Sequence, residues 1–192
     1  MEKIKVLDSI VYKFKYQLDW AKVKPIAEEC VSHNNEQHVL ENNGLTSYMD
    51  DKPTHKLAEL QPFFEFIEPI YKNYIQEHLS MNIDNIVVQN AWFTKYWNQG
   101  WINLHDHPTS IVVACLYIEK PENSGHIQFT DVNHYHDKQP WHEVKTYTDD
   151  VLLFDAKMPH KSKTNLTDNE RWTLTVNIGY AEDYRINEVW KN

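Results

Sequence analysis

The sequence predicts a mostly β fold, a sandwich or jelly roll with helices packed outside it near the N-terminus. Three observations predict it. Apolar residues keep helical spacing through the first stretch of chain and switch to a period of two from Ile86 onward. Short β-branched runs then follow one another, separated by Pro, Asn and Asp turns. One run, Ile111-Val112-Val113-Ala114-Cys115-Leu116-Tyr117-Ile118, is apolar at every position, as a strand covered on both faces must be.

The elements follow in order. Trp20, Val23, Ile26, Ala27 and Cys30 share one face of a short helix, with Asp19 placed to cap it. Leu60, Phe63, Phe64, Ile67, Tyr71, Tyr74, Ile75 and Leu79 mark a longer helix. Pro62 suits its first turn, whereas Pro69 should kink or divide it. Asn42-Asn43-Gly44 and Asp50-Asp51-Lys52-Pro53 are turn signals between the two. Strands are expected at Ile86 to Trp97, with a turn at Gly100, then at the apolar run, His126 to Thr130, Val144 to Tyr147, Val151 to Phe154 and Arg171 to Ile178. No repeat, low-complexity tract or linker interrupts the 192 residues, so a single domain is expected, with helical support over about 1–85 and a β core over about 86–180.

Composition narrows the function classes. The hydrophobic share of 41% and charged share of 24% are those of a soluble globular protein. A net charge of −9 with scattered Lys and Arg weighs against nucleic acid and anionic membranes as partners. No apolar run reaches the roughly 20 residues of a membrane-spanning helix. The segment Met1 to Val6 lacks the apolar centre of a signal peptide. The two cysteines, Cys30 and Cys115, fall in a helical and a strand pattern and read as buried thiols. A cytoplasmic location is the expectation.

Chemistry is concentrated in a few of the 11 histidines. His33, His38, His55 and His78 lie in the polar part of the helical half and read as solvated surface residues. His105-Asp106-His107-Pro108 differs: in extended chain, residues i and i+2 project from one face, so His105 and His107 can converge on a point. His160, which follows the strand Val151 to Phe154 after a bend at Met158-Pro159, is the best third nitrogen. Such a set leaves open coordination positions, and imidazole suits Fe, Zn, Cu and Ni alike. Asp106 is the nearest carboxylate that could replace His107, but it should point to the opposite face. Farther on, Arg171, Thr173, Thr175 and Asn177 share the polar face of an alternating strand. That is an edge strand facing water, or else a carboxylate grip, the guanidinium bonding in bidentate fashion with hydroxyls beside it. A second cluster, His134-Tyr135-His136 with His142, sits among loop residues and, with Trp141, reads as a surface or a substrate-covering loop.

In order along the chain stand Trp92-Phe93, Tyr96, Gly100, His105-x-His107-Pro108, Leu116-Tyr117-Ile118, His160, Asn165, Glu170-Arg171 and Asn177-Ile178. This pattern, from about Ile86 to Tyr180, resembles the 2-oxoglutarate- and Fe(II)-dependent oxygenases of the prolyl-hydroxylase-like branch, and within them the small phage and bacterial 2OG-Fe(II) oxygenases. The resemblance implies a double-stranded β-helix (jelly roll), Fe(II) held by His105, His107 and His160, and 2-oxoglutarate and O2 as cosubstrates. It implies that Arg171 pairs with the distal carboxylate of 2-oxoglutarate, that Tyr117 and Thr175 bond the same group, and that Tyr96 reaches the metal-binding end. The implied reaction is hydroxylation of a C–H bond with release of succinate and CO2. The superfamily usually has a carboxylate where this chain has His107, which leaves the third ligand as the chief departure. Two other readings of the same residues are a three-histidine cupin-type metalloenzyme and a jelly-roll binding module without catalysis. The cupin would not need Arg171, and the acidic ligand expected shortly after its histidine pair is missing.

Overall fold

A computed structural model describes residues 1–32, 40–41, 43–48, 53–131 and 141–181, without the side chains of residues 32, 40 and 41. In chain order it contains β1 (Glu2–Val6), β2 (Ser9–Lys15), α1 (Trp20–Ser32), β3 (Leu40–Glu41), β4 (Gly44–Thr46), α2 (Gln61–Tyr74), β5 (Ile86–Tyr96), β6 (Trp101–Ile102), β7 (Val112–Glu119), β8 (Ile127–Phe129), β9 (His142–Val144), β10 (Asp150–Asp155), β11 (His160–Ser162) and β12 (Arg171–Tyr180). Seven strands make one sheet in the order β1-β2-β10-β7-β12-β5-β4, and β11-β8-β9 make a smaller one. Neighbouring strands in both pair antiparallel.

The period of two decides which face each side chain serves. From β12, Trp172, Leu174, Val176 and Ile178 enter one hydrophobic cluster with Val112, Ala114, Leu116 and Ile118 of β7. The same cluster contains Val23, Ala27 and Cys30 of α1 and Phe63, Phe64, Ile67, Tyr71 and Tyr74 of α2, so both helices cover this face. On the opposite face, Val113 and Tyr117 of β7 and Leu152 and Phe154 of β10 pack with Ile127, Phe129 and Val144 of the small sheet. The result is the mostly β jelly roll with outlying helices that the sequence predicts. A cleft opens between the two sheets, where β12 presents its other face.

Local chemistry accounts for the element ends. Asp19 caps α1, its Oδ1 accepting from the Lys22 N–H at 3.4 Å and its carbonyl from Val23 at 3.1 Å. Against expectation, α2 runs through Pro69 without dividing. Pro69 is on the exposed side, where the Glu65 carbonyl it deprives of a donor can turn to water. The irregularity comes later: Ile75–Leu79 widens into a π-turn that ends at Ser80 with φ of 53°. The N-terminal stretch also departs from expectation, since the part assigned to helical support begins with the β1–β2 hairpin at the sheet edge. The strand expected from Val144 to Tyr147 is displaced to His142–Val144. Gly100 fulfils its turn role, since a Cβ there would lie 2.9 Å from the Trp97 carbonyl oxygen.

Candidate metal centre

Two backbone bonds bring His105 and His160 together. The His105 N–H donates to the His160 carbonyl at 3.0 Å and the His160 N–H returns the bond to the His105 carbonyl at 2.9 Å. Two residues on, the His107 N–H donates to the Ala156 carbonyl at 2.9 Å, just past the end of β10. Two histidines are thus pinned to the small sheet and one to the end of the large sheet. One ring nitrogen from each of His105, His107 and His160 lies within 4.8 Å of the others, forming the one such group among the described residues. The sequence-predicted triad is assembled. Asp106 is exposed and outside the group.

The rings are prepared as neutral donors. His105 Nδ1 lies 2.8 Å from the Asn103 carbonyl and His160 Nδ1 2.8 Å from the Met158 carbonyl. A carbonyl can only accept, so each Nδ1 carries the hydrogen and each Nε2 keeps a free lone pair. Burial drives the basicity down at all three. His107 is held at about 3 by burial and the neighbouring His105, and His160 lies well below the usual histidine range through burial and both neighbours. His105 is lowered by burial, partly offset by its bond to Asn103. Phe154 packs edge-on to His160 at 5.0 Å between ring centres, and Trp92 lies nearly parallel to His107 at 5.8 Å. Three neutral imidazoles held in a dry corner fit a divalent transition metal such as Fe, Zn, Cu or Ni.

Beside the triad, the cleft is lined by Tyr96, Cys115, Tyr117, Ser162, Arg171 and Thr175, among others, around a cavity of about 60 Å³. Arg171 is 2% exposed. Its Nη1 donates to the Ser124 carbonyl and, at 3.1 Å, to the Lys163 carbonyl, and its Nη2 donates to Ser162 Oγ at 3.0 Å. Its guanidinium carbon lies 4.6 Å from the Tyr96 ring centre. Among the described residues no Asp or Glu forms an ion pair with it. A buried cation without a counter-charge is unfavourable, so this wall of the cleft is built for an anion. Tyr96 and Tyr117 are held as neutral phenols, mainly by burial. The fully buried Asn165 ties the β5 end to the segment before β12. Its Nδ2 donates to the Tyr96 carbonyl at 3.3 Å and the Asn169 carbonyl at 2.8 Å.

Sequence reasoning missed Ser162. Its Oγ accepts from Arg171 and also from the Ile102 N–H at 3.0 Å, which leaves its own hydrogen for a partner in the cleft. The available signal was its place two residues after His160 on a strand, which puts both side chains on one face. Lys161 also lines the cleft, with its Nζ 3.7 Å from the ring centre of Trp141. Of the second histidine cluster, His134, Tyr135 and His136 fall outside the described residues, and His142 is exposed on β9. His78, expected to be solvated, is instead held by Tyr12, with Nε2 and the hydroxyl 3.0 Å apart. His33 and His38 fall outside the described residues. Among the described residues no helix is long and apolar enough to cross a membrane.

Comparison with known proteins bears on the fold and the family. Residues 90–177 match a family described as "Putative 2OG-Fe(II) oxygenase". No curated protein sequence matches. A prolyl-4-hydroxylase of Pseudomonas putida has the same fold, with a TM-score of 0.61 and 14% identity over 88% of this chain and 92% of that one. So does the α-ketoglutarate-dependent carbocyclase SnoK of nogalamycin biosynthesis, with a TM-score of 0.62 and 14% identity over 89% and 79%. HygX of Streptomyces hygroscopicus, solved with nickel and 2-oxoglutarate bound, gives 0.59 and 10% over 89% and 83%. At such identities the neighbours speak for the fold alone. With the fold, the ordered motifs and the matched segment in agreement, the resemblance read from the sequence holds at the level of the superfamily, that of the 2OG-Fe(II) oxygenases.

Proposed function

We propose that this chain is an Fe(II)- and 2-oxoglutarate-dependent dioxygenase that hydroxylates a C–H bond of its substrate. The observation that carries the reading is the juxtaposition, in one cleft, of three neutral histidines with a buried guanidinium that has no carboxylate partner among the described residues. His105, His107 and His160 hold the iron. Arg171 takes the distal carboxylate of 2-oxoglutarate, assisted by Tyr117, Thr175 and the free hydrogen of Ser162, while Tyr96 orients the cosubstrate toward the metal. When bound, iron with 2-oxoglutarate and O2 supplies the oxidising chemistry: CO2 leaves, one oxygen atom enters succinate and the other a substrate C–H bond. The chain's own part is to bind, orient and exclude water. Uncharged ligands leave the charge of Fe(II) to be balanced by the cosubstrate dianion, so the two bind as a complementary pair.

Similar structures suit this cosubstrate and leave the substrate open: HygX has also been solved with hygromycin B, and prolyl-4-hydroxylase by its name acts on proline. A cupin-type metalloenzyme would give Arg171 no role. Anaerobic addition of Fe(II) and then 2-oxoglutarate tests the proposal. A visible charge-transfer band that needs both additions is expected. Its absence, with no 2-oxoglutarate affinity by calorimetry, would overturn the reading.

A further inference from the structure

Three buried side-chain atoms among the described residues have no hydrogen-bond partner: Asn90 Oδ1, His107 Nε2 and Asn177 Oδ1. In a native fold each such atom calls for an explanation. Asn90 and Asn177 are directly opposed across β5 and β12, so their side chains share a face of the large sheet. Trp92, two residues from Asn90 on β5 and therefore on the same face, stacks on His107 at 5.8 Å between ring centres, which places that ring on the asparagine side of the sheet.

His107 differs from the other two histidines in how it is held. His105 and His160 each bond through Nδ1 to the carbonyl two residues earlier. The equivalent carbonyl for His107 belongs to His105 and already accepts the His160 N–H. The backbone anchor that serves its partners is therefore engaged elsewhere. A neutral imidazole that gives one nitrogen to a metal must place its other N–H on an acceptor. Iron accounts for one His107 nitrogen and for neither asparagine oxygen.

We propose that Asn177 is the positioning residue for the third ligand, its Oδ1 accepting the His107 N–H that faces away from the metal, with Asn90 supporting Asn177 from the adjacent strand. This inference rests on the metal reading of the triad and extends it to the position where the chain departs from the usual carboxylate. Trp92, stacked on the same ring, limits its tilt, while Asn177 sets which nitrogen carries the hydrogen.

Full-length protein with 15N-labelled histidine, together with anaerobic Fe(II) titration, tests it. In the metal-free wild type, long-range 1H–15N spectra should show His107 in a single tautomer. Asn177→Ala should mix the tautomers and weaken Fe(II) binding by roughly 10- to 100-fold, as loss of an outer hydrogen bond to a metal ligand does. Asn177→Asp, a stronger acceptor of similar shape, should restore the single tautomer and bind Fe(II) at least as tightly as the wild type. Should the alanine variant not fold, the aspartate variant decides alone: weaker Fe(II) binding there would overturn the proposal. Unchanged tautomer and affinity in Asn177→Ala would also overturn it. A wild type that takes up no metal, while its tautomer still depends on Asn177, would support the hydrogen bond and remove the iron reading instead.

Discussion

At Arg171 a change of donor geometry separates cosubstrate binding from metal binding. The guanidinium also holds the Ser124 and Lys163 carbonyls, so removing it outright would disturb the loops as well as the cleft. Arg171→Lys keeps the charge but loses the planar fork. It should weaken 2-oxoglutarate binding by roughly 10- to 100-fold, the worth of a hydrogen bond to a charged group, with Fe(II) affinity unchanged in parallel titrations. The triad gives a prediction in pH. His107 has a folded pKa of about 3 against an ordinary value of 6.5, and His105 and His160 are shifted the same way. Below 6.5 the unfolded chain takes up protons that the folded chain refuses. Their contribution to stability is therefore full above pH 6.5 and is lost as pH falls toward the folded values. Each such group lowers stability by up to about 1.4 kcal/mol per pH unit in that range. The melting temperature of metal-free protein should change little on their account between pH 7 and 8 and drop below pH 6.5, and His107→Gln should make that drop shallower. The triad and Arg171 were legible in the sequence because i, i+2 spacing in a strand fixes a shared face. Ser162 carried the same spacing signal from His160, but its bonds to Arg171 and the Ile102 N–H, like the pairing of Asn90 with Asn177, depend on which segments meet in the fold.

Among elements, β12 does the most to position the site. One face carries Trp172, Leu174, Val176 and Ile178 into the helix-covered core and the other carries Arg171, Thr173 and Thr175 into the cleft. Leu174 has no exposed surface and lies between β5 and β7. Leu174→Ala should cost about 2–5 kcal/mol and lower the denaturant midpoint, while the folded fraction keeps its affinity for 2-oxoglutarate. Equal destabilisation and loss of binding at low denaturant would show that core and cleft are not separable in this way. Strands such as β7 and β12 could be read directly because length and period two reinforce each other. By contrast β6 and β11 are 2 and 3 residues long, too short for any period, and exist through tertiary pairing. Pro69 misled for a related reason: a proline's effect depends on whether the carbonyl it strands can reach water, which is a property of the folded surface.

Across the whole molecule the two larger sheets are unequal. The seven-stranded sheet is backed by both helices, whereas β8, β9 and β11 are short and rest on it through one hydrophobic cluster. His105 and His160 belong to the small sheet's side, and His107 is fastened beyond β10 of the large one. A metal ion joining the three would therefore rivet a light roof to a heavy floor. Chelation should accelerate hydrogen exchange in β8, β9 and β11 and leave β7 and β12 as slow as before, and uniform exchange across both sheets would refute this. Loading the site would then be an act of assembly as much as of activation: the chamber reaches its working rigidity only once the ion is seated.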